Sequence, residues 1–277
     1  MNPWLAWLAE PFSYPFMLRG LAAALTVGVV CPVLGAYVVL RGMAFFGDAL
    51  AHIILPGVVA AFLLGWPLVS GALIVGVVAA LAVGAISRRS KIKEDTAIGV
   101  VFAGCFALGI AMLSSRRGYA VDLSHILFGN LLGVSQQDVL LIAGLGLLAL
   151  LAVLAFYKEF LVLSFDPLLA VTLRLPVQRL QNLMLILLAV VIVVSIQAVG
   201  VALVLAMLIT PAAAASLLTR RLPIMMLVGA AIGALSAVIG LYFSYYTNLA
   251  SGPAIVLTAT AAFVLAFLFS RQRRTRA

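Results

Sequence analysis

LLIAGLGLLALLAVLAF, residues 140–156, decides the architecture. It is apolar from end to end and shows no alternation. A transmembrane barrel strand would alternate over about ten residues. Apolar runs of about 18 residues or more recur along the chain, each long enough to cross a hydrocarbon core of about 30 Å. Hydrophobic residues make up 66% of the sequence and charged residues 9%, against about 25% charged in a soluble domain. Mean hydropathy is +1.28. The pattern predicts an all-α polytopic membrane protein with almost no soluble part.

Apolar segments lie near 18–40, 45–63, 66–86, 96–114, 137–163, 183–218, 223–246 and 253–270. The 183–218 run is too long for one simple crossing. Gln197 and Gly200 mark a possible turn inside it, so the count is eight or nine transmembrane helices. Residues 1–14 read as an interfacial segment, with Trp4 and Trp7 suited to the membrane boundary. The start MNPWLAWLAEPF shows neither a basic leader nor an early cleavage signature, so no removed signal peptide is expected. Residues 15–270 form the transmembrane domain, and 271–277 form a basic tail.

The formal net charge of +9 is mostly local. Basic residues gather in SRRSKIK at 87–93, at Arg174 and Arg179, at Arg220 and Arg221, and in RQRRTR at 271–276. They read as cytoplasmic anchors, not as a nucleic-acid surface. If 183–218 crosses twice, the amino terminus lies outside and Arg41 lies near the cytoplasm. Arg116 and Arg117 then fall on the opposite side from the other basic clusters. Cys31 and Cys105 sit in apolar segments and give no disulfide framework. The sequence contains no GxxxxGK[ST] loop, so ATP hydrolysis needs another chain.

FFGDALAHIILPG at 45–57 holds the most informative polar pair. Asp48 and His52 are four residues apart and share one helix face. Ionisable groups inside a bilayer are costly and normally face a bundle interior or a watery path. A carboxylate and an imidazole without thiolates suit manganese, iron or zinc. Two ligands do not close a site, but a homodimer would bring two Asp and two His around a shared axis. The competing reading is a local Asp–His hydrogen bond that holds neighbouring helices. Pro56 and Gly57 follow at once and are expected to kink the helix.

Other segments are more ambiguous. Residues 115–136 read as a re-entrant or interfacial piece. Within them, His125 with Asp122 is either a secondary metal contact or a hydrogen bond at the membrane lip. Ser135 and Asp138 suit a helix start. Glu94 and Asp95 suit the positive end of the helix they open, as local electrostatics. In SFDPLLAVTLRLPVQRLQ, 164–181, Asp166–Pro167 looks like a helix start, and Pro176 ends that helix or begins the next. The segment reads either as a docking element for a soluble partner or as a connecting loop. In LAMLITPAAAASLL, 205–218, Ala212 to Ala215 permit close helix approach, and Pro211 is expected to disrupt a straight helix. Packing competes there with a moving gate.

Several of these blocks together resemble one family. They are LGAYVVLRGMAFFGDALAHIILPG at 34–57, EDTAIGVVFA at 94–103, LFGNLLGVSQQD at 127–138, FDPLLA at 165–170, GVALVLAMLITPAAAASLL at 200–218 and SGPAIVL at 251–257. The chain, over about 14–270, resembles the membrane permeases of bacterial zinc, manganese and iron ABC importers, the ABC-3 family. The resemblance implies a permease fold like that of vitamin B12 and siderophore permeases, in a multi-pass protein of the bacterial cytoplasmic membrane. It implies a second copy of the permease, two cytoplasmic ABC ATPases, and a periplasmic or lipid-anchored metal-binding protein. The cargo would be a divalent metal ion (Mn2+ or Zn2+, with Fe2+ a further candidate) moved by alternating access. ATP would be used by the partner, and no cofactor would be bound covalently. Asp48 and His52 match the family's metal-pathway Asp and His. Asp166, Pro167, Ala170 and Arg174 fall in its ATPase-coupling region. Leu168 stands where that pattern often has an acid, and Arg174 where it usually has glycine. A metal-chelate permease is the near alternative, and an intramembrane metal-dependent enzyme the distant one.

Overall fold

The computed structural model describes residues 10–90, 92–114 and 131–274. Twelve α-helices are described: α1 Pro15–Arg41, α2 Phe45–Ile53, α3 Leu55–Leu64, α4 Leu68–Ser90, α5 Glu94–Ser114, α6 Gln136–Ala155, α7 Tyr157–Phe165, α8 Pro167–Thr172, α9 Val177–Val199, α10 Val201–Leu218, α11 Leu222–Thr247 and α12 Ser251–Arg274. Among the described residues, 9 stretches are long and apolar enough to cross a membrane, with α2 and α3 together making one of them. α1 and α9 are the most buried spans and form the centre of the bundle. α5, α6 and α12 are the least buried.

Glycine sets the closest approaches. A Cβ on Gly35 of α1 would stand 1.7 Å from the Leu208 carbonyl oxygen of α10. A Cβ on Gly57 of α3 would stand 2.2 Å from the Gly71 carbonyl oxygen of α4. Gly28 of α1 and Gly233 of α11 meet in the same manner. Lipid tails are as apolar as leucine, so membrane helices associate through backbone-close packing of this kind.

The local signals read from the sequence form the helix ends. Gly200, at φ 87°, separates α9 from α10, so 183–218 holds parts of two helices, each long and apolar enough to cross. Ser135 Oγ accepts from the Asp138 N–H, and the Asp138 carboxylate accepts from the Ser135 N–H, both at 3.1 Å. That reciprocal capping box starts α6. α1 ends at Gly42, whose left-handed backbone at φ 68° turns the chain into α2.

One expectation needs correction. The apolar segment 137–163 is not one helix, because it breaks at Phe156 between α6 and α7. Pro211 lies inside α10, which runs from Val201 to Leu218. A proline inside a membrane helix is tolerated where neighbouring groups take up the freed carbonyl. Trp4, Trp7, Arg116, Arg117, Asp122 and His125 lie outside the described residues.

Candidate metal site

The 45–64 span is broken in the middle. Pro56 has no N–H to give the carbonyl of His52, four residues earlier, so the helical hydrogen-bond ladder is interrupted there. The chain divides at Ile54 into the nine-residue α2 and the ten-residue α3. Asp48 falls in the first turn of α2 and His52 in its last turn. Each therefore sits at the helix end whose partial charge favours it.

Both side chains are half-buried. Among the described residues, no hydrogen bond joins Asp48 to His52. The pair does not make the local clasp that was its competing reading. Instead, His52 lies edge-on to two rings of α5. Its centroid is 5.8 Å from Phe102 and 5.5 Å from Phe106, and those rings stack on each other at 5.8 Å. The stacked rings hold the imidazole plane by packing, and leave its nitrogens without a competing hydrogen bond among the described residues. Among the described residues, no cluster of three or more His, Cys, Asp or Glu is close enough to hold a metal. Asp48 and His52 thus supply one oxygen and one imidazole donor, short of the four or more that a bound transition metal takes.

The 164–181 segment holds a short, doubly capped helix. Asp166 Oδ1 accepts from the Leu168 and Leu169 N–H groups at 2.9 and 3.0 Å. Pro167 opens α8 where its missing N–H costs nothing. At the other end, the Arg174 N–H donates to the Val171 carbonyl at 3.0 Å, and the Leu175 N–H to the Ala170 carbonyl at 3.1 Å. This is a Schellman turn, with Arg174 in the left-handed position at φ 55°. Pro176 takes no part in ending α8; it precedes α9 as its N-cap. Ala170 is fully buried, whereas Leu168 is 79% exposed, with Leu169, Val171 and Leu173 also exposed. α8 therefore presents an apolar face away from the bundle.

The left-handed turn also gives a physical reason for glycine at position 174. A non-glycine residue there costs about 1–2 kcal/mol. Arg174→Gly is expected to raise stability by about 0.5–1 kcal/mol after the larger backbone entropy lost by glycine. Thermal unfolding of the purified protein measures this, and a lower midpoint would refute it.

A polar cluster without a local sequence signal joins the end of α1 to the starts of α5 and α9. Glu94 Oε1 accepts from Arg41 Nη2 and from Gln181 Nε2. The Arg41 and Glu94 side chains are only 11% and 18% exposed. Glu94 is thus not merely an acid at a helix start; it joins α1, α5 and α9. Nothing within one turn of any of the three residues announces the contact.

Comparison with known proteins places this geometry in context. Residues 13–270 match the ABC 3 transport family. The manganese transport system membrane protein MntC of Halalkalibacterium halodurans is 48% identical over 93% of this chain and 88% of its own. The chelated iron transport system membrane protein YfeD of Yersinia pestis is 44% identical over 98% of this chain and 91% of its own. Among solved structures, PsaBC from Streptococcus pneumoniae in complex with Fab is similar with a TM-score of 0.81 and 39% identity, covering 95% of each chain.

Proposed function

The chain belongs to the ABC 3 transport family and is the permease subunit of a metal ABC importer, and from that premise we propose that it carries manganese past Asp48 and His52. It is a multi-pass membrane protein. The observation that carries the site is the pair itself: a carboxylate and an imidazole one turn apart, half-buried, on a short helix broken from the rest of its span. Their donor chemistry suits a manganese or iron ion in transit, which must be released as well as held. The name of the 48%-identical relative favours manganese, and that of the 44%-identical relative favours iron.

Two donors per chain fit a two-fold assembly in which a second permease adds its own Asp48 and His52. α5 is the natural neighbour for that second copy. It is the least buried span, its rings flank His52, and Ala103, Gly104 and Ala107 lie exposed along one side. Small residues at this spacing let membrane helices approach closely. His125 is a further metal contact in this reading.

An ABC permease works with ATPase and substrate-binding partners. We assign the docking of two cytoplasmic ATPases to α8, with Asp166, Pro167, Ala170 and Arg174 holding its shape and Leu168, Leu169 and Val171 offering the contact face. A periplasmic or lipid-anchored protein would deliver the ion. ATP hydrolysis resides in the partner, since this sequence contains no P-loop.

The test is uptake by the reconstituted complex, with and without ATP, offering manganese, zinc and iron in turn. ATP-dependent uptake led by manganese is expected. Uptake led by zinc or iron would reassign the ion, and absence of uptake of any of the three by an intact complex would overturn the proposal.

A further inference from the structure

Two neighbouring residues near the start of α9 grip the two ends of one turn. Asn182 Oδ1 accepts from Arg88 Nη1 at 2.8 Å, where α4 ends. Gln181 Nε2 donates to Glu94 Oε1, where α5 begins. The same carboxylate oxygen takes Arg41 Nη2 from the last turn of α1. Between the two grips, Ser87 Oγ donates to the Ile92 carbonyl at 3.2 Å. Gly84 lets α4 and α9 close together here, since a Cβ on it would stand 3.0 Å from Leu185 Cδ1 and 3.3 Å from Asn182 Oδ1.

The connections of this knot matter more than its bonds. α9 follows α8 directly, through residues 173–176. α5 carries Phe102 and Phe106, the rings against His52. α1 runs into α2 through residues 42–44. The knot thus joins the exposed α8 segment to α5, which packs against the Asp48–His52 helix, and to α1, which leads into it.

Stability alone does not account for such a knot. A buried ion pair is often no more stabilising than apolar side chains of the same volume, and its best-attested use is to fix register or a switch. Apolar contacts are non-directional. Hydrogen bonds to charged groups are directional and short. Bonds of that kind, at two successive residues, tie the α4–α5 turn to the start of α9.

We propose that Gln181 and Asn182 are positioning residues that pass movement of α8 to Arg88, Glu94 and Arg41, and through them to the helix bearing Asp48 and His52. The proposal rests on the ATPase docking assigned to α8 above, because α8 must be moved by an ATPase docked on it.

The experiment is hydrogen exchange on the reconstituted permease–ATPase complex, read at the amides of residues 45–53, with and without trapped ATP. In the native complex ATP is expected to change exchange there by about threefold or more, as local opening energies shift. In Gln181→Leu/Asn182→Leu the change should vanish while the ATPase still turns over. An undiminished response in that variant would overturn the proposal. So would a lower thermal midpoint with the response intact, which is what a purely structural knot gives. If the double variant does not assemble, Gln181→Glu opens the knot by setting a second carboxylate against Glu94, and the same two readings apply. Manganese uptake is measured on the same native preparation. An ATP response at 45–53 without manganese uptake would defeat the manganese reading and leave the transmission intact. Uptake without any ATP response at 45–53 would defeat the transmission alone.

Discussion

With Asp48 and His52 both changed to alanine, ATP-driven manganese uptake is expected to fall about 100-fold or more, since even outer-shell partners of a metal cost 10–100-fold when removed. The complex should still assemble. Both side chains are half-buried, and no hydrogen bond joins them among the described residues, so truncating one strands no partner in the other. Each single change should cost nearly as much as the double one, because donors to one ion act as a unit. Asp48→Asn keeps the shape and removes the charge, and it should lose most of the uptake too. Transport assays on assembled complexes decide the matter. Native-level uptake by the double variant would make the pair structural.

Gly35→Ala is expected to abolish the folded protein, although it adds a single methyl group. That methyl would lie 1.7 Å from the Leu208 carbonyl oxygen, well inside contact distance. α1 and α10 would have to part, and α1 sits at the centre of the bundle. Overpacking of this severity exceeds the usual cost of about 1–3 kcal/mol. Gly144→Ala is the control. Gly144 lies in α6 with nothing within 4 Å of its would-be Cβ. There the same substitution should stabilise the helix by about 0.5–1 kcal/mol. In detergent, Gly35→Ala should show no cooperative thermal unfolding and Gly144→Ala a raised midpoint, and a tolerated Gly35→Ala would refute the crossing.

Features that depend on neighbours along the chain are legible in the amino-acid sequence. The crossing helices follow from apolar length. The division of 183–218 follows from Gly200, that of 45–64 from Pro56, and the start of α8 from Asp166–Pro167. Asp48 and His52 stand out because charge is rare in such a chain. The Glu94 contacts are not legible in the same way. Arg41 is 53 residues from Glu94, and Gln181 is 87 residues from it. A first-turn acid and a last-turn arginine each have an adequate local explanation in the helix dipole. Only the packing of α1, α5 and α9 reveals that the two meet.

The break at Ile54 separates two demands that one helix would otherwise have to meet together. Below it, α2 presents Asp48 and His52. Above it, Gly57 of α3 locks onto Gly71. On the proposed site, the two donors that this span contributes fall in a nine-residue helix, while the close packing of the span falls in another stretch. A change of donor in that helix would therefore leave the Gly57–Gly71 contact, and with it the packing of α3 on α4, untouched.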